Sequence, residues 1–181
     1  MKEMILAVTG SIAAYKAADI ASSLTKKGIS VNVVMTPAAC RFITPLTFQT
    51  LTHNKVYTDV FEDDDIPTEV AHIALARKAS LYLCAPASAD FLAKAAHGIA
   101  DDMALAVLLA LKDTPVFFAP AMNTAMYENA VTQRNISILR ELGVSFVEPK
   151  EALLACGDVG RGALADPEVI VSDVLEALGE K

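Results

Sequence analysis

Four short, almost wholly apolar runs, separated by stretches of helical character, constrain this chain more than anything else in it. They cover residues 4–10 (MILAVTG), 31–36 (VNVVMT), 81–86 (LYLCAP) and 115–120 (PVFFAP). None alternates apolar with polar residues, so each reads as a strand covered on both faces, as in a parallel sheet between two helical layers. Residues 12–27 carry Ala, Ile and Leu at helical spacing and stop at Gly28. Further helices are expected over 40–51, where Pro45 must start or kink the helix, over 72–79, after Ser88, and after Asp101 or Asp102. Two more are expected over 124–142 and after Asp166, with minor strands over 55–60 and 144–149. Residues 62–67, acidic with one proline, read as a loop. Alternating strand and helix with right-handed crossovers predicts an α/β fold: a Rossmann-like (flavodoxin-like), doubly wound, open parallel sheet, as one domain over residues 1–181.

Composition narrows the functional classes. Hydrophobic residues make up 54% and charged residues 20%, enough for a large core. A net charge of -7 argues against a nucleic-acid partner, which needs a basic face. No apolar run approaches the roughly 18 residues of a membrane span, and the start, MKEMILAVTG, lacks the layout of a secretory signal. Cys40, Cys84 and Cys156 are odd in number and widely spaced, with no CxxC. Free thiols in a reducing cytoplasm are expected, not a disulfide framework. His53, His72 and His97 form no i, i+4 pair, so no metal site is expected.

In a doubly wound sheet the ligand lies beyond the C-terminal strand ends. Those ends are Thr9-Gly10-Ser11, Thr36-Pro37, Ala85-Pro86-Ala87-Ser88 and Ala119-Pro120-Ala121. Small and hydroxyl-bearing residues collect there and leave room for something flat. Gly10, Ser11 and Ile12 stand where the first strand turns into a helix, a natural phosphate cradle. GSIAAY is not GxGxxG, and the second strand ends at Thr36, not at an acid able to bind a ribose hydroxyl. Both observations disfavour NAD. FMN suits the same rim, using the hydroxyls of Ser11, Thr36 and Ser88; taken singly, each is more readily an ordinary strand-end turn or helix cap. Asn123 follows directly on the strand VFFA, and Cys156 heads a glycine-rich stretch, poor packing material but well placed for chemistry.

PASAD (residues 86–90), PAMNTAMY (120–127) and ACGDVGRG (155–162), with GSIAAYKA and an isolated His72 in the right order, resemble the flavin-containing cysteine decarboxylases. The likeness is greatest to the branch that serves coenzyme A biosynthesis, and it covers essentially the whole chain. Tyr127 stands where the family motif often ends in Trp, and Asp90 where it usually has Asn. The resemblance implies FMN-dependent oxidative decarboxylation of 4′-phosphopantothenoylcysteine to 4′-phosphopantetheine. Flavin withdraws hydride from the S–Cβ unit, and the resulting thioaldehyde is the electron sink for loss of carbon dioxide. The enethiolate that remains is then reduced. It further implies that His72 is the base for the thiol proton, that Asn123 binds the substrate carboxylate, and that Cys156 is the proton donor of the final reduction. FMN would be held by Gly10, Ser11, Ile12, Thr36, Ala87, Ser88, Ala89, Asp90, Ala121 and Met122. The substrate would be held by Asn123, Met126, Ala155, Cys156 and Gly157. Met122 and Met126 are as readily core filler. Lys16 and Arg161 are candidates for the substrate phosphate. Residues 156–164 are expected to be a flexible loop able to close over substrate.

The family builds its site between the subunits of a trimer, and bacterial members often assemble four trimers into a dodecamer. A mean hydropathy of +0.41 fits large buried interfaces. With no synthetase segment after Lys181, the decarboxylase is expected to stand alone. Related readings are a peptidyl-cysteine decarboxylase of lantibiotic synthesis, which would not need Cys156, and a flavin prenyltransferase, which is not expected to carry this cysteine loop. A non-catalytic flavin-binding regulator would be expected to have lost Cys156 or His72. An electron-carrying flavodoxin needs no Asn/Cys/His set.

Overall fold

The computed structural model describes residues 2–61, 70–154, 157 and 159–180. Six parallel strands form the main sheet: β1 (Glu3–Val8), β2 (Ser30–Met35), β3 (Val56–Tyr57), β4 (Tyr82–Ala87), β5 (Val116–Pro120) and β6 (Ser145–Phe146). Their order is β3-β2-β1-β4-β5-β6, so the winding reverses between β1 and β4. This is the doubly wound arrangement that the apolar runs predict.

The pleat of β1 divides the core. Met4, Leu6 and Val8 face one way, onto the helices α1 (Lys16–Lys26), α2 (Pro45–Thr52) and α8 (Pro167–Leu178). Ile5 and Ala7 face the other, onto α3 (Ala71–Lys78), α4 (Ala89–Ala96), α5 (Met103–Ala110) and α7 (Ala130–Glu141). Period-2 geometry therefore hides both faces of an apolar run. Phe118, on β5, meets Phe91 and Phe146 edge-on, with centroids 5.7 and 5.9 Å away.

Several expected elements are refined. The helix over 12–27 begins as a 3-10 turn, Ile12–Tyr15, before α1. The helix over 40–51 becomes a 3-10 turn, Ala39–Arg41, followed by α2 with Pro45 in its first turn, where a missing N–H costs nothing. The helix over 124–142 is two helices, α6 (Thr124–Glu128) and α7, because the Asn129 side chain accepts from the Val131 amide and starts a new one. Asp102 is the cap of α5, accepting from the Leu105 amide at 2.9 Å. Asp166 occupies the N-cap of α8, but its carboxylate pairs with Lys150 instead of the backbone.

The larger correction concerns the glycine-rich stretch. Residues Val159–Ala163 form a strand, β8, antiparallel to β7 (Lys150–Leu153). Gly160 and Gly162 serve close contact there more than mobility. A Cβ at Gly160 would lie 2.4 Å from Thr124 Oγ1, and one at Gly162 would lie 2.4 Å from the Met122 carbonyl oxygen. The Met122 amide donates to the Gly162 carbonyl at 2.9 Å. This short hairpin is thus laid directly against the 122–124 segment. Gly162 also has φ +148. Gly162→Ala is therefore expected to cost on the order of 1–3 kcal/mol in urea unfolding; an unchanged midpoint would show that β8 is not held as described.

Candidate active site

The C-terminal ends of β1, β2, β4 and β5 open into a cavity of about 880 Å³. It lies at the reversal of strand order, where doubly wound sheets take their ligands. Thr9 ties the two central strand ends together. Its buried hydroxyl donates to the Pro86 carbonyl at 2.6 Å and accepts from the Ser88 amide at 2.9 Å. At sequence level Thr9 reads only as a strand-end residue, because Thr is an ordinary strand former.

Two polar turns converge on the cavity. Ser11 caps the Ile12–Tyr15 turn by accepting from the Ala13 amide, and Ser88 caps α4 by accepting from the Phe91 amide at 3.2 Å. Thr36 accepts from the Ala39 amide at 3.2 Å and holds the β2 end in place. Gly10 passes so close to this segment that a Cβ would lie 2.5 Å from that of Ala38. The hydroxyls of Ser11 and Ser88 act as helix caps, that of Thr36 accepts within its turn, and all three residues line the cavity.

Of the residues expected to hold FMN, Gly10, Ser11, Ile12, Thr36, Ser88, Ala89, Asp90, Ala121 and Met122 line the cavity. Ala87 does not. It is fully buried, and its carbonyl accepts from the Ala121 amide at 3.1 Å, closing the sheet beneath the cavity floor. Asn123 and Met126 line it as well. Asn123 Oδ1 accepts from the Ala125 amide at 2.8 Å, which caps α6 and fixes the orientation of the amide at the cavity wall. Ala155 and Cys156 lie outside the described residues. Gly157, with φ +89, turns the β7–β8 connection and donates to the Leu154 carbonyl at 2.9 Å; it is not part of the lining.

His72, in the first turn of α3, is not on the cavity of its own chain. Its Nδ1 is buried and has no hydrogen-bond partner among the described residues. Of the two phosphate candidates, Lys16 lines the cavity, whereas Arg161 is paired with Glu148 at 2.8 Å away from it.

Sequence reasoning names Asp90 but misses Lys94 and Asp102 as residues of the same wall. Lys94 bridges Asp101 at 3.1 Å and Asp90 at 3.4 Å, and both Lys94 and Asp102 reach the cavity. The hydrogen bond to Asp101, reinforced by Asp90, holds the Lys94 ammonium above its ordinary pKa. Burial pushes the Asp102 carboxyl up. The signal available beforehand was the i, i+4 spacing of Asp90 and Lys94. The remaining lining is apolar and partly open: Ile12, Tyr15, Phe42, Met126 and Leu153 are all at least half exposed.

The comparisons with known proteins agree with this geometry. The Flavoprotein family matches residues 1–179. A probable phosphopantothenoylcysteine decarboxylase of Streptococcus mutans is 56% identical over 178 residues, covering 98% of this chain and 99% of that protein. The coenzyme A biosynthesis bifunctional protein CoaBC of Bacillus subtilis is 48% identical over 94% of this chain, which spans only 41% of that longer protein. Among solved structures, a cysteine-to-serine mutant of PPC decarboxylase, complexed with pantothenoylaminoethenethiol, superposes with a TM-score of 0.91 at 34% identity, covering 99% of both chains. The FMN binding protein AtHal3 superposes with a TM-score of 0.85 at 36% identity, over 96% of this chain and 94% of that one. The fold, the cavity at its switch point and these full-length likenesses together establish that the chain belongs to the Flavoprotein family.

Proposed function

We propose that this protein is an FMN-dependent phosphopantothenoylcysteine decarboxylase acting in coenzyme A biosynthesis. The observation that carries the reading is the cavity at the strand-order reversal, walled by Gly10-Ser11, Ser88 and Asn123, in a chain 56% identical along its length to a probable enzyme of that activity. The cavity fits a flavin mononucleotide. It is large, mostly apolar, and has capped turns whose backbone N–H groups suit a single phosphate. Gly10, Ser11, Ile12, Thr36, Ser88, Ala89, Asp90, Ala121 and Met122 would hold it.

When bound, the flavin would supply the two-electron redox chemistry that the reaction draws on and restores. The chain's residues supply position and proton traffic. His72 takes the thiol proton as the S–Cβ unit is oxidised to the thioaldehyde. Asn123 donates to the substrate carboxylate without adding a positive charge that would hold it back from leaving. Loss of carbon dioxide leaves the enethiolate, and Cys156 delivers the proton that accompanies its reduction. Lys16, at the cavity, suits the substrate phosphate, while Lys94, which also reaches it, is paired with Asp90 and Asp101.

The active assembly in this reading is a trimer, alone or as four trimers in a dodecamer, in the cytoplasm. His72 lies off its own chain's cavity with a buried Nδ1 that has no partner among the described residues, and five half-exposed apolar side chains line that cavity. A neighbouring copy covering those side chains and lending His72 accounts for both. Among the described residues, no helix is long and apolar enough to cross a membrane.

The purified protein is expected to be yellow and to release FMN on denaturation. No acid ends β2 to hold a second ribose, since Thr36 occupies that place. A dinucleotide in the denatured supernatant would sink the cofactor assignment.

A further inference from the structure

Four elements meet behind the substrate wall of the cavity. Tyr127, near the end of α6, is almost fully buried and donates its hydroxyl to Glu148 Oε2 at 3.1 Å. Arg161, on β8, donates to the same oxygen at 2.8 Å, and its guanidinium lies over the Tyr127 ring, 5.6 Å from the centroid. Arg140, on α7, donates to Glu148 Oε1 and lies over Phe146. Burial, and then the Glu148 charge, push the Tyr127 phenol up, so at neutral pH it is a donor. Gln133 donates to the Tyr127 carbonyl at 2.6 Å, bracing the end of α6 from α7.

These contacts close a ring. Tyr127 is four residues from Asn123 on one side of the site, and Arg161 is next to Gly162 on the other. The ring's other joint is the Met122 amide on the Gly162 carbonyl. Met122, Asn123, Gly162 and Ala163 all line the cavity, whereas Tyr127, Glu148 and Arg161 do not. The side-chain network thus grips two cavity walls from behind.

We propose that Tyr127, Glu148 and Arg161 are a positioning latch that sets how β8 lies against the Asn123 segment, and so keeps the substrate wall in its binding-competent arrangement. Its charged members are partly exposed, so none of them is a large source of global stability. What the latch contributes is register. A chain without it populates loosened wall arrangements, and apparent substrate affinity falls by the competent fraction. This rests on the reading that Asn123 and its neighbours bind the substrate.

The test uses the FMN-loaded enzyme carrying Tyr127→Phe, Glu148→Ala and the two combined. Phe keeps the ring and removes only the hydroxyl, so folding is preserved. Losing one such hydrogen bond should raise KM for 4′-phosphopantothenoylcysteine about fivefold, with kcat and FMN content kept. The double variant should be no worse than Glu148→Ala, because both changes break one link. Without substrate, amide hydrogens of residues 121–125 and 159–163 should exchange faster in Tyr127→Phe. Unchanged exchange overturns the latch. Faster exchange with an unchanged KM overturns its part in substrate positioning, and additive effects in the double variant overturn the shared link. Failure of the underlying site reading shows separately, as undiminished turnover in Asn123→Asp.

Discussion

His72→Asn and Asn123→Asp are each expected to abolish turnover while FMN stays bound. The two changes act on different things. Asparagine cannot take a proton near neutral pH, so the thiol would have to be oxidised without a base; loss of general base catalysis costs about 10²–10⁴ in rate. Asn123→Asp keeps the fold, because Asp accepts from the Ala125 amide as well as Asn does, at the cap the structure shows. It places a negative charge against the substrate carboxylate in a secluded site, where like charges repel strongly. Since His72 is off its own chain's cavity, the two inactive variants should complement each other. Subunits mixed under dissociating conditions and reassembled would form some sites with an intact His72 from one chain and an intact Asn123 from another. Regained decarboxylation on mixing is the expected result. Turnover near the unaltered level in either single variant would show the role assignments to be wrong, and absence of any recovery would place His72 and Asn123 in the same chain's site.

Cys156→Ser is expected to separate the two halves of the reaction. In the proposed roles, oxidation and decarboxylation call on His72 and Asn123, so they should continue. Reduction of the enethiol should fail, because a serine hydroxyl is a far weaker acid than a thiol, and a donor several pKa units weaker loses orders of magnitude in proton transfer. The product should be lighter than 4′-phosphopantetheine by two hydrogens, and under nitrogen the yellow colour should bleach and stay bleached until oxygen is admitted. Cys84→Ser and Cys40→Ser are the controls. Cys84 is fully buried in β4, with its Sγ 3.8 Å from the Pro86 carbonyl oxygen, and burial followed by the Asp102 charge raises its thiol pKa well above the ordinary value. Cys40 is half-buried against the α1 side of the core. Neither control should stop the reduction. Normal 4′-phosphopantetheine at an unchanged rate from Cys156→Ser would remove the thiol from the mechanism.

The sheet and its rim were legible because doubly covered strands leave an unbroken apolar signature, and the ligand end of such a sheet follows from its topology. That reasoning reaches Gly10, Thr36, Ser88 and Ala121 without a structure. It reaches Thr9 as a strand end but not its two hydrogen bonds to the Pro86–Ser88 segment, which depend on β1 and β4 being neighbours. Nor does it reach β8. Glycines at 160 and 162 erase the strand's side-chain pattern, since their role is to let the backbone touch Thr124 and Met122. The same stretch therefore reads as a mobile loop from sequence and is a strand in the fold. The Tyr127–Glu148–Arg161 contacts join residues far apart in the chain, and no local spacing announces them. His72 is legible as a residue type, but within one chain it does not line the cavity; only the proposed assembly would bring it to a site.

The central claim is that this chain decarboxylates 4′-phosphopantothenoylcysteine with no net oxidation. The direct measurement is to incubate the purified yellow protein with that compound under nitrogen and follow carbon dioxide, product mass and the flavin spectrum together. One carbon dioxide per substrate, 4′-phosphopantetheine as the product and an oxidised flavin at the end are the results expected. A product that has lost carbon dioxide and two hydrogens, with flavin left reduced, or substrate recovered intact, would contradict it.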